Sequence, residues 1–414
     1  MIHSLEKKRW FLTLFYFILY NVLQIAETSI TIDGIRYVID PGMVKQKMYD
    51  QGTGMESLSV TEISKAQAWQ RAGRAGRQAP GQCYRLYTET SFTQLAKTTI
   101  PEIQRCSLAT VILQLKVLGV EDVLQFDFLQ PPDPQNLKRS QKVLKELGAL
   151  KIERLRPGPK SKRGKKMYVI TDLGRRMAEL PLEPHFALAL LRSSQDDLCC
   201  SEAMLSIISM LSVENPLLSP TNQRDRAGQA HRRFAAPSGD HITLLNLFTC
   251  YNDECPNGRN AQQWLAENFV NGRAMRRAIQ IRRQLAERCN QMGIPIVSPE
   301  PGTDPNDEAI RKGLIAGLFL TVAKMLPSID TKSSNRHKFK TLRDNLEVSI
   351  HPSSTLFSRR NQQKMSEKKK GGATNSGGYF VVFTELVFTK RPYIRCVSHI
   401  KQEWLREIVP HCFS

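Results

Sequence analysis

The sequence predicts a multidomain α+β chain, and three observations carry that expectation. Strand-like runs at Ile35 to Asp40, Val44 to Tyr49 and Met55 to Val60 crowd the N-terminal part, the last two flanking the turn signal Asp50-Gln-Gly-Thr-Gly54. From Pro101 to Cys289 the pattern is mostly helical, with one strand candidate at Tyr168 to Thr171. Beyond Asn345 strands return at Asn345 to His351, Tyr379 to Thr389 and Tyr393 to Ile400, the pattern of a small β-barrel of the OB type. At 414 residues and 41% hydrophobic content the chain is long and apolar enough to fold as several globular domains. Lys plus Arg number 59 against 39 Asp plus Glu, a net charge of +20 that favours a polyanionic partner.

The N-terminal 24 residues stand apart. Lys7-Lys8-Arg9 leads into an apolar run from Trp10 to Tyr20, which taken alone reads as a signal anchor. The run is shorter than the roughly 20 residues a spanning helix needs, and no small-residue cleavage site follows it.

After the hairpin comes Ser64 to Arg77, where Arg71, Arg74 and Arg77 recur every third residue, led by Gln70 and spaced by Ala72-Gly73 and Ala75-Gly76. Helical spacing would place Arg74 and Arg77 on one face, where two guanidinium forks can converge on a single anion. A planar cation charged at any working pH suits the equatorial oxygens of a transferring phosphoryl group. A solvated basic helix end is the alternative for any isolated Arg-x-x-Arg. Gly81 to Tyr87 reads as a short strand closing this region.

Pro101-Glu102 opens a helix expected to bury Ile103, Leu108, Val111, Ile112, Leu115 and Leu118 on one face before Gly119. Leu137 to Leu147 is a basic amphipathic helix ending at Gly148. With the strand at Tyr168 and the helix from Asp172 to Leu180 it outlines a winged-helix unit. Its wing, Lys151 to Lys166, carries eight basic residues and one acid, as a phosphate contact, a solvated loop or an import patch would. Helices are expected next at Phe186 to Leu191, Ala203 to Leu211, Ile242 to Tyr251, Trp264 to Val270 and Ala274 to Cys289. The last carries Arg273, Arg276, Arg277, Arg282, Arg283 and Arg288, suited either to phosphates or to neighbouring acids. A Pro/Gly/Asp-rich linker at Pro299 to Asp307 precedes a helix expected from Ala309 to Leu326, and Glu403 to Ile408 closes the chain. Arg359 to Gly378 reads as a disordered basic insertion between strands.

Nine dispersed cysteines with no C-x-x-C pair argue against a disulfide framework or a zinc module. His231, His241, Cys250 and Cys255 fit no zinc spacing, and no metal site is expected.

Gln70-Arg-Ala-Gly-Arg-Ala-Gly-Arg77, preceded by Ile25-Ala-Glu-Thr-Ser-Ile-Thr-Ile-Asp-Gly-Ile35, resembles motifs VI and V of the DEAH-box RNA helicases. Ile350-His-Pro-Ser-Ser-Thr-Leu-Phe357 and Tyr379-Phe-Val-Val-Phe-Thr-Glu-Leu386 resemble segments of that family's C-terminal domain. The resemblance runs from about Ile25 to Phe413. It implies the end of a second RecA-like α/β lobe at 25–98, a winged helix at 99–181, a helical ratchet domain at 182–298 and an OB-fold at 308–414. Residues 1–24 then replace the family's own sequence, the anchor being the other reading.

By the same resemblance Gln70, Arg74 and Arg77 contact the γ-phosphate of ATP, and Thr31 and Asp33 lie near the ribose. Thr28 and Ser29 lie beside the RNA backbone, while Lys45 and Lys47 of the hairpin could face phosphate or merely solvent. The family's main RNA-contacting threonine falls at Leu23 in this sequence. The implied cofactors are ATP and Mg²⁺ in the full-length family, with none held by this chain alone. Its only Gly-Lys pair, Gly164-Lys165, is followed by Lys166 rather than Ser or Thr, and Asp307-Glu308-Ala309-Ile310 lacks the histidine of a DEAH box. The implied partners are RNA and a protein activator or ribonucleoprotein complex, with no membrane. Pro101-Glu-Ile-Gln-Arg-Cys106 and Glu267-Asn-Phe-Val-Asn271 resemble nuclear or nucleolar members; the cytoplasm is the alternative location. The expected function is that of a partial ATP-dependent RNA helicase, the alternative a catalytically inactive RNA- or partner-binding fragment.

Overall fold

The computed structural model describes residues 35–50, 55–76, 79–154, 166–258, 260–297, 307–326, 338–357, 379–388 and 391–413. Expectations for residues 1–24, for motif V, for the wing tip and for the insertion from Arg359 to Gly378 fall outside them. The described residues divide into two compact units. The first takes in 35–50, 55–106 and 128–132, the second 107–127 and everything from Asp133 onward.

In the first unit, β1 (Tyr37–Asp40) leads into a hairpin of β2 (Met43–Asp50) and β3 (Met55–Glu62), paired antiparallel from Met43 with Glu62 to Asp50 with Met55. Helix α1 (Lys65–Ala72) starts at Ser64, whose hydroxyl accepts from the Gln67 N–H while the Gln67 side chain accepts from the Ser64 N–H. That reciprocal capping box satisfies two donors a helix start otherwise leaves open. Strand β4 (Gln82–Arg85) lies parallel to β1, Tyr37 opposite Gln82 and Asp40 opposite Arg85. Parallel neighbours need a crossover, which the hairpin and α1 supply. This is the α/β element expected at the end of a RecA-like lobe. Val44, Ile63, Ala68 and Leu95 form one small core and Val38 with Ala75 another. Short helices α2 (Glu89–Gln94) and α3 (Glu102–Arg105) complete the unit.

The expected single helix from Pro101 breaks in two. After α3 the chain turns at Cys106, and α4 (Ala109–Val117) begins the second unit. Leu108, Ile112 and Leu113 are buried, whereas Leu118, expected on the buried face, is 79% exposed. Leu118 is the C-cap of α4, just before Gly119 at φ +90°, and so lies beyond the helix's last turn. Helix α5 (Pro134–Glu146) has Asp133 as its cap and Pro at its first position. With α4, the hairpin β5 (Leu150–Arg154) and β6 (Lys166–Ile170), and α6 (Asp172–Glu179), it builds a winged helix.

Helices α7 (Pro184–Ser193), α8 (Ser201–Leu211), α9 (Arg224–His231), α10 (Asp240–Glu254), α11 (Ala261–Glu267) and α12 (Gly272–Gln291) come next. Their core gathers Met210, Phe234, Leu247, Phe248, Trp264 and Met275. Helix α9 has no counterpart among the expected helices, and α11 stops at Glu267; Val270, expected inside it, instead bridges Leu217.

Helix α13 (Asp307–Leu318) is shorter than the helix expected through Leu326. A single 3-10 turn separates it from β7 (Val322–Met325), the first strand of a barrel. Strands β8 (Lys338–Thr341), β9 (Glu347–Ile350), β10 (Phe380–Phe388) and β11 (Pro392–Ile400) complete it. Around the barrel the order is β7, β8, β9, β11, β10 and back to β7, with only β9 and β11 parallel. Closure removes the free edges an open five-stranded sheet would expose. Phe339, Val348, Val381, Phe383, Ile394 and Val397 are buried. Helix α14 (Gln402–Ile408) packs against α13.

The helical part grips the barrel through the start of α10. Gly239 has φ +135°, and a Cβ there would collide with the backbone of Val397 and Ser398. Beside it the Asp240 carboxylate accepts the Thr355 N–H and hydroxyl, both at 2.8 Å, and the Val397 N–H at 2.9 Å.

Candidate phosphate and nucleic-acid interface

The arginine triplet does not behave as three equivalent side chains. Gln70 is exposed near the end of α1, but Arg71 turns inward, its Nη1 donating to Asp40 Oδ1 at 2.8 Å and to the Met43 carbonyl at 3.0 Å. Asp40 also accepts the Gly42 N–H at 3.0 Å and, on Oδ2, the Tyr87 hydroxyl at 3.1 Å. Burial and the adjacent Asp40 charge push the Tyr87 hydroxyl well above the usual phenol range, so it stays a donor. Donors from the turn after β1, from α1 and from the segment after β4 thus meet on one carboxylate.

Helix α1 ends at Ala72. The Gly73 N–H still reaches the Trp69 carbonyl at 2.9 Å, but Arg74 and Ala75 donate to Arg71 and Ala72, each at 3.1 Å, three residues back rather than four. The expectation that helical spacing aligns Arg74 with Arg77 therefore fails on its first residue. Arg74 lies half-buried in a tight turn beyond the helix, and Arg77 falls outside the described residues. The turn is anchored from below: Ala75 is buried with Val38, and a Cβ on Gly81 would collide with the Ala75 carbonyl. Small residues here let the backbone approach the strand, which fixes where Arg74 leaves it.

On the outer side of α1, Trp69 meets Phe92 edge-on at 6.2 Å, and the Arg85 guanidinium sits over both rings at 5.1 and 4.2 Å from their centroids. The stack ties α1, β4 and α2 together one residue before Gln70.

Of the remaining expected site residues, Thr28, Ser29, Thr31 and Asp33 lie outside the described residues. Lys45 is half-buried in the hairpin opposite Val60, and the Lys47 backbone pairs with Leu58. For ATP, the described part of the constellation is the exposed Gln70 amide and the turn carrying Arg74, which suit a phosphate. For Mg²⁺, the described residues hold no group of three or more His, Cys, Asp or Glu that fits a metal ion. His231 and His241 serve elsewhere: His231 Nε2 meets the Phe269 carbonyl at 3.2 Å, and His241 Nδ1 meets Ser398 Oγ at 2.8 Å.

The six arginines of α12 divide evenly. Arg282 pairs with Glu202 at 3.0 Å and donates to Ser206, Arg283 pairs with Glu287 at 3.8 Å, and Arg288 with Glu179 at 3.2 Å. Arg273, Arg276 and Arg277 are exposed in the first turns and form no ion pair among the described residues. At the base of the wing Lys151 is held by Glu153 at 2.8 Å. Sequence reasoning does not single out the Asp40 and Asp240 carboxylates; the only signal for each is an aspartate near a glycine at the edge of an element.

A winged helix, a helical domain and an OB barrel follow one another in the chain, with the arginine turn ahead of them. Family descriptions match the same segments: the winged-helix part of the helicase-associated domain HA2 over residues 140–182, its ratchet-like part over 183–244, and an oligonucleotide/oligosaccharide-binding fold over 310–412. The chain is 39% identical to the mouse (Mus musculus) ATP-dependent RNA helicase DHX33 over 94% of its own length and 49% of the relative's. It is 39% identical to the fission yeast (Schizosaccharomyces pombe) pre-mRNA-splicing factor ATP-dependent RNA helicase prp22, covering 94% of this chain and 29% of that one. It is 36% identical to the probable ATP-dependent RNA helicase DHX35 of Pongo abelii, covering 94% and 48%. The chain belongs to the DEAH-box RNA helicases and corresponds to their C-terminal portion. It spans about half the length, or less, of these relatives.

Proposed function

We propose that this chain is the RNA-gripping C-terminal portion of an ATP-dependent DEAH-box RNA helicase that remodels RNA or ribonucleoprotein in its full-length form. The observation that carries the reading is the series of arginine turn, winged helix, helical domain and OB barrel, in an order matching the helicase relatives. In the full-length protein Gln70, Arg74 and Arg77 face the γ-phosphate, Thr31 and Asp33 the ribose, and Thr28, Ser29, Lys45 and Lys47 the RNA backbone. Magnesium is held by the lobe that carries the P-loop. The proposed domains run 25–98, 99–181, 182–298 and 308–414. The likeness to RNA helicases, one of them a splicing factor by name, supports a nuclear role in RNA processing.

Alone, the chain binds RNA without turning over ATP, because no G-x-x-x-x-G-K-[ST] loop occurs in its 414 residues to cradle the phosphates. ATPase activity of the purified chain, with and without single-stranded RNA and with Arg74→Ala as control, tests this. Salt-sensitive RNA binding with no stimulated hydrolysis is the expected result. Hydrolysis abolished by Arg74→Ala would show that other residues of the chain hold the triphosphate.

A further inference from the structure

Ser91, Ser212 and Ser353 are exposed and spend their hydroxyls locally, on the Thr88 hydroxyl, the Ile208 carbonyl and the His351 ring. Ser219, between α8 and α9, does not. It is exposed between the equally exposed Leu218 and Pro220, and its hydroxyl makes no hydrogen bond among the described residues. The sequence holds two Ser-Pro steps, Ser219-Pro220 and Ser298-Pro299, and the second serine lies outside the described residues.

The chain is pinned on both sides of Ser219. Before it, the Asn271 N–H donates to the Pro216 carbonyl at 2.7 Å and the Leu218 N–H to the Phe269 carbonyl at 2.9 Å. After it, the Gln223 N–H donates to the Pro220 carbonyl at 3.0 Å. Ser219 itself contributes no backbone hydrogen bond among the described residues, and Pro220 has no N–H to give. A second protein can therefore take hold of this step without breaking a bond that the fold relies on. A kinase has to bring its acceptor hydroxyl in line with the γ-phosphate of ATP, which an exposed and unbonded serine allows.

The surroundings along the chain suit an added anion. Arg224 and Arg226 in the first turn of α9 are exposed, form no ion pair among the described residues and outnumber the one acid there, Asp225. Helix α9 also begins without a side-chain cap, which leaves N–H groups open to an anion. The strap beside Ser219 reaches the start of α12: Asn271, bonded to Pro216, caps that helix by accepting the Arg273 and Ala274 N–H groups. A phosphoserine brings about −1.5 to −2 charges at pH 7 to a loop fastened beside the exposed Arg273, Arg276 and Arg277.

We propose that Ser219 is the acceptor of a proline-directed serine/threonine kinase, and that its phosphate weakens the hold of the α12 arginines on RNA, a consequence that rests on the RNA-gripping reading. In the transfer the Ser219 Oγ–P bond forms and the bond between the γ-phosphorus of ATP and its bridging oxygen breaks. ADP leaves, and the hydroxyl proton passes to the catalytic base of the kinase.

The test incubates the full chain with ATP, Mg²⁺ and either a cyclin-dependent or a mitogen-activated protein kinase, and maps phosphate by mass spectrometry of the peptides. Single-stranded RNA binding by the untreated chain is measured first, so a failure of the RNA reading is seen before any kinase is added and the phosphate map then decides the acceptor by itself. Phosphate should appear on Ser219, with at least tenfold slower incorporation at that position in Pro220→Ala. Ser219→Ala and Pro220→Ala should both keep the parent's circular dichroism and melting curve, since both side chains are exposed. The phosphorylated parent should bind RNA at least threefold more weakly than the untreated one, whereas kinase treatment should leave the RNA affinity of Ser219→Ala unchanged. No phosphate on Ser219, phosphate confined to Ser298, equal rates in Pro220→Ala, or equal RNA affinity before and after phosphorylation would each overturn the proposal.

Discussion

The Arg71 guanidinium and the Asp40 carboxylate meet at 2.8 Å with side chains 1% and 0% exposed. A pair this deep is stable only because each ion has further partners: Met43 for the arginine, Gly42 and Tyr87 for the aspartate. The first arginine of the triplet is therefore a structural anchor, which leaves Gln70, Arg74 and Arg77 as the candidates to face phosphate. Arg71→Ala strands a buried carboxylate and should cost about 3–5 kcal/mol, whereas Arg74→Ala should cost about 1 kcal/mol or less. Urea unfolding followed by Trp69 fluorescence measures both.

Gly81 tests the seat of the Arg74 turn. Because an added Cβ collides with the rigid Ala75 carbonyl, Gly81→Ala should lower stability by about 1–3 kcal/mol and move the turn. In a full-length protein the same change should depress ATP turnover more than RNA binding, and a filter-binding assay beside an ATPase assay separates the two.

The α12 arginines divide into holders and candidates. The triple change Arg273→Ala, Arg276→Ala and Arg277→Ala should leave thermal stability within a degree or two. It should flatten the slope of log K against log salt for single-stranded RNA by about 2, at roughly 0.7 for each phosphate no longer neutralised. Arg282→Ala, which breaks the contacts to Glu202 and Ser206, should instead lower the melting temperature and spare the salt slope. Equal slopes in the triple variant and the parent would mean that α12 does not touch RNA.

His241 supplies a pH dependence. Burial lowers its pKa from 6.5 to about 4, so the folded state keeps the ring neutral while the unfolded chain takes up a proton below 6.5. The unfolded state then binds more protons between these values, so stability falls as pH drops from 6.5 toward 4 and levels off below. The loss attributable to this group is about 3 kcal/mol, at roughly 1.4 kcal/mol per pKa unit. Denaturation midpoints across that range should fall less steeply in His241→Gln than in the parent.

Segments with strong local signals are legible in the sequence. Asp133-Pro134 before a basic amphipathic run, the two alternating strands of the hairpin and the long run from Ala274 all form the expected elements. Val322 to Met325 is not legible as a strand, because its apolar residues continue the helical spacing of α13 and only the barrel's closing pairs with β8 and β10 set it apart. Lys338 to Thr341 hides similarly: Phe339 is its only large apolar residue, and its partners lie in other strands. Arg71 reads as a surface cation because spacing along one helix says nothing about the carboxylate waiting on β1. Leu118 reads as core because its spacing continues the apolar run of α4, although it falls on the cap residue where the helix ends.

The single carboxylate of Asp240 holds both a loop after β9 and strand β11 while capping nothing in its own helix. The helical domain and the barrel are therefore fastened to each other at one carboxylate. Any load on Thr355 or Val397 of the barrel is passed straight to the first turn of α10, because the same side chain holds both.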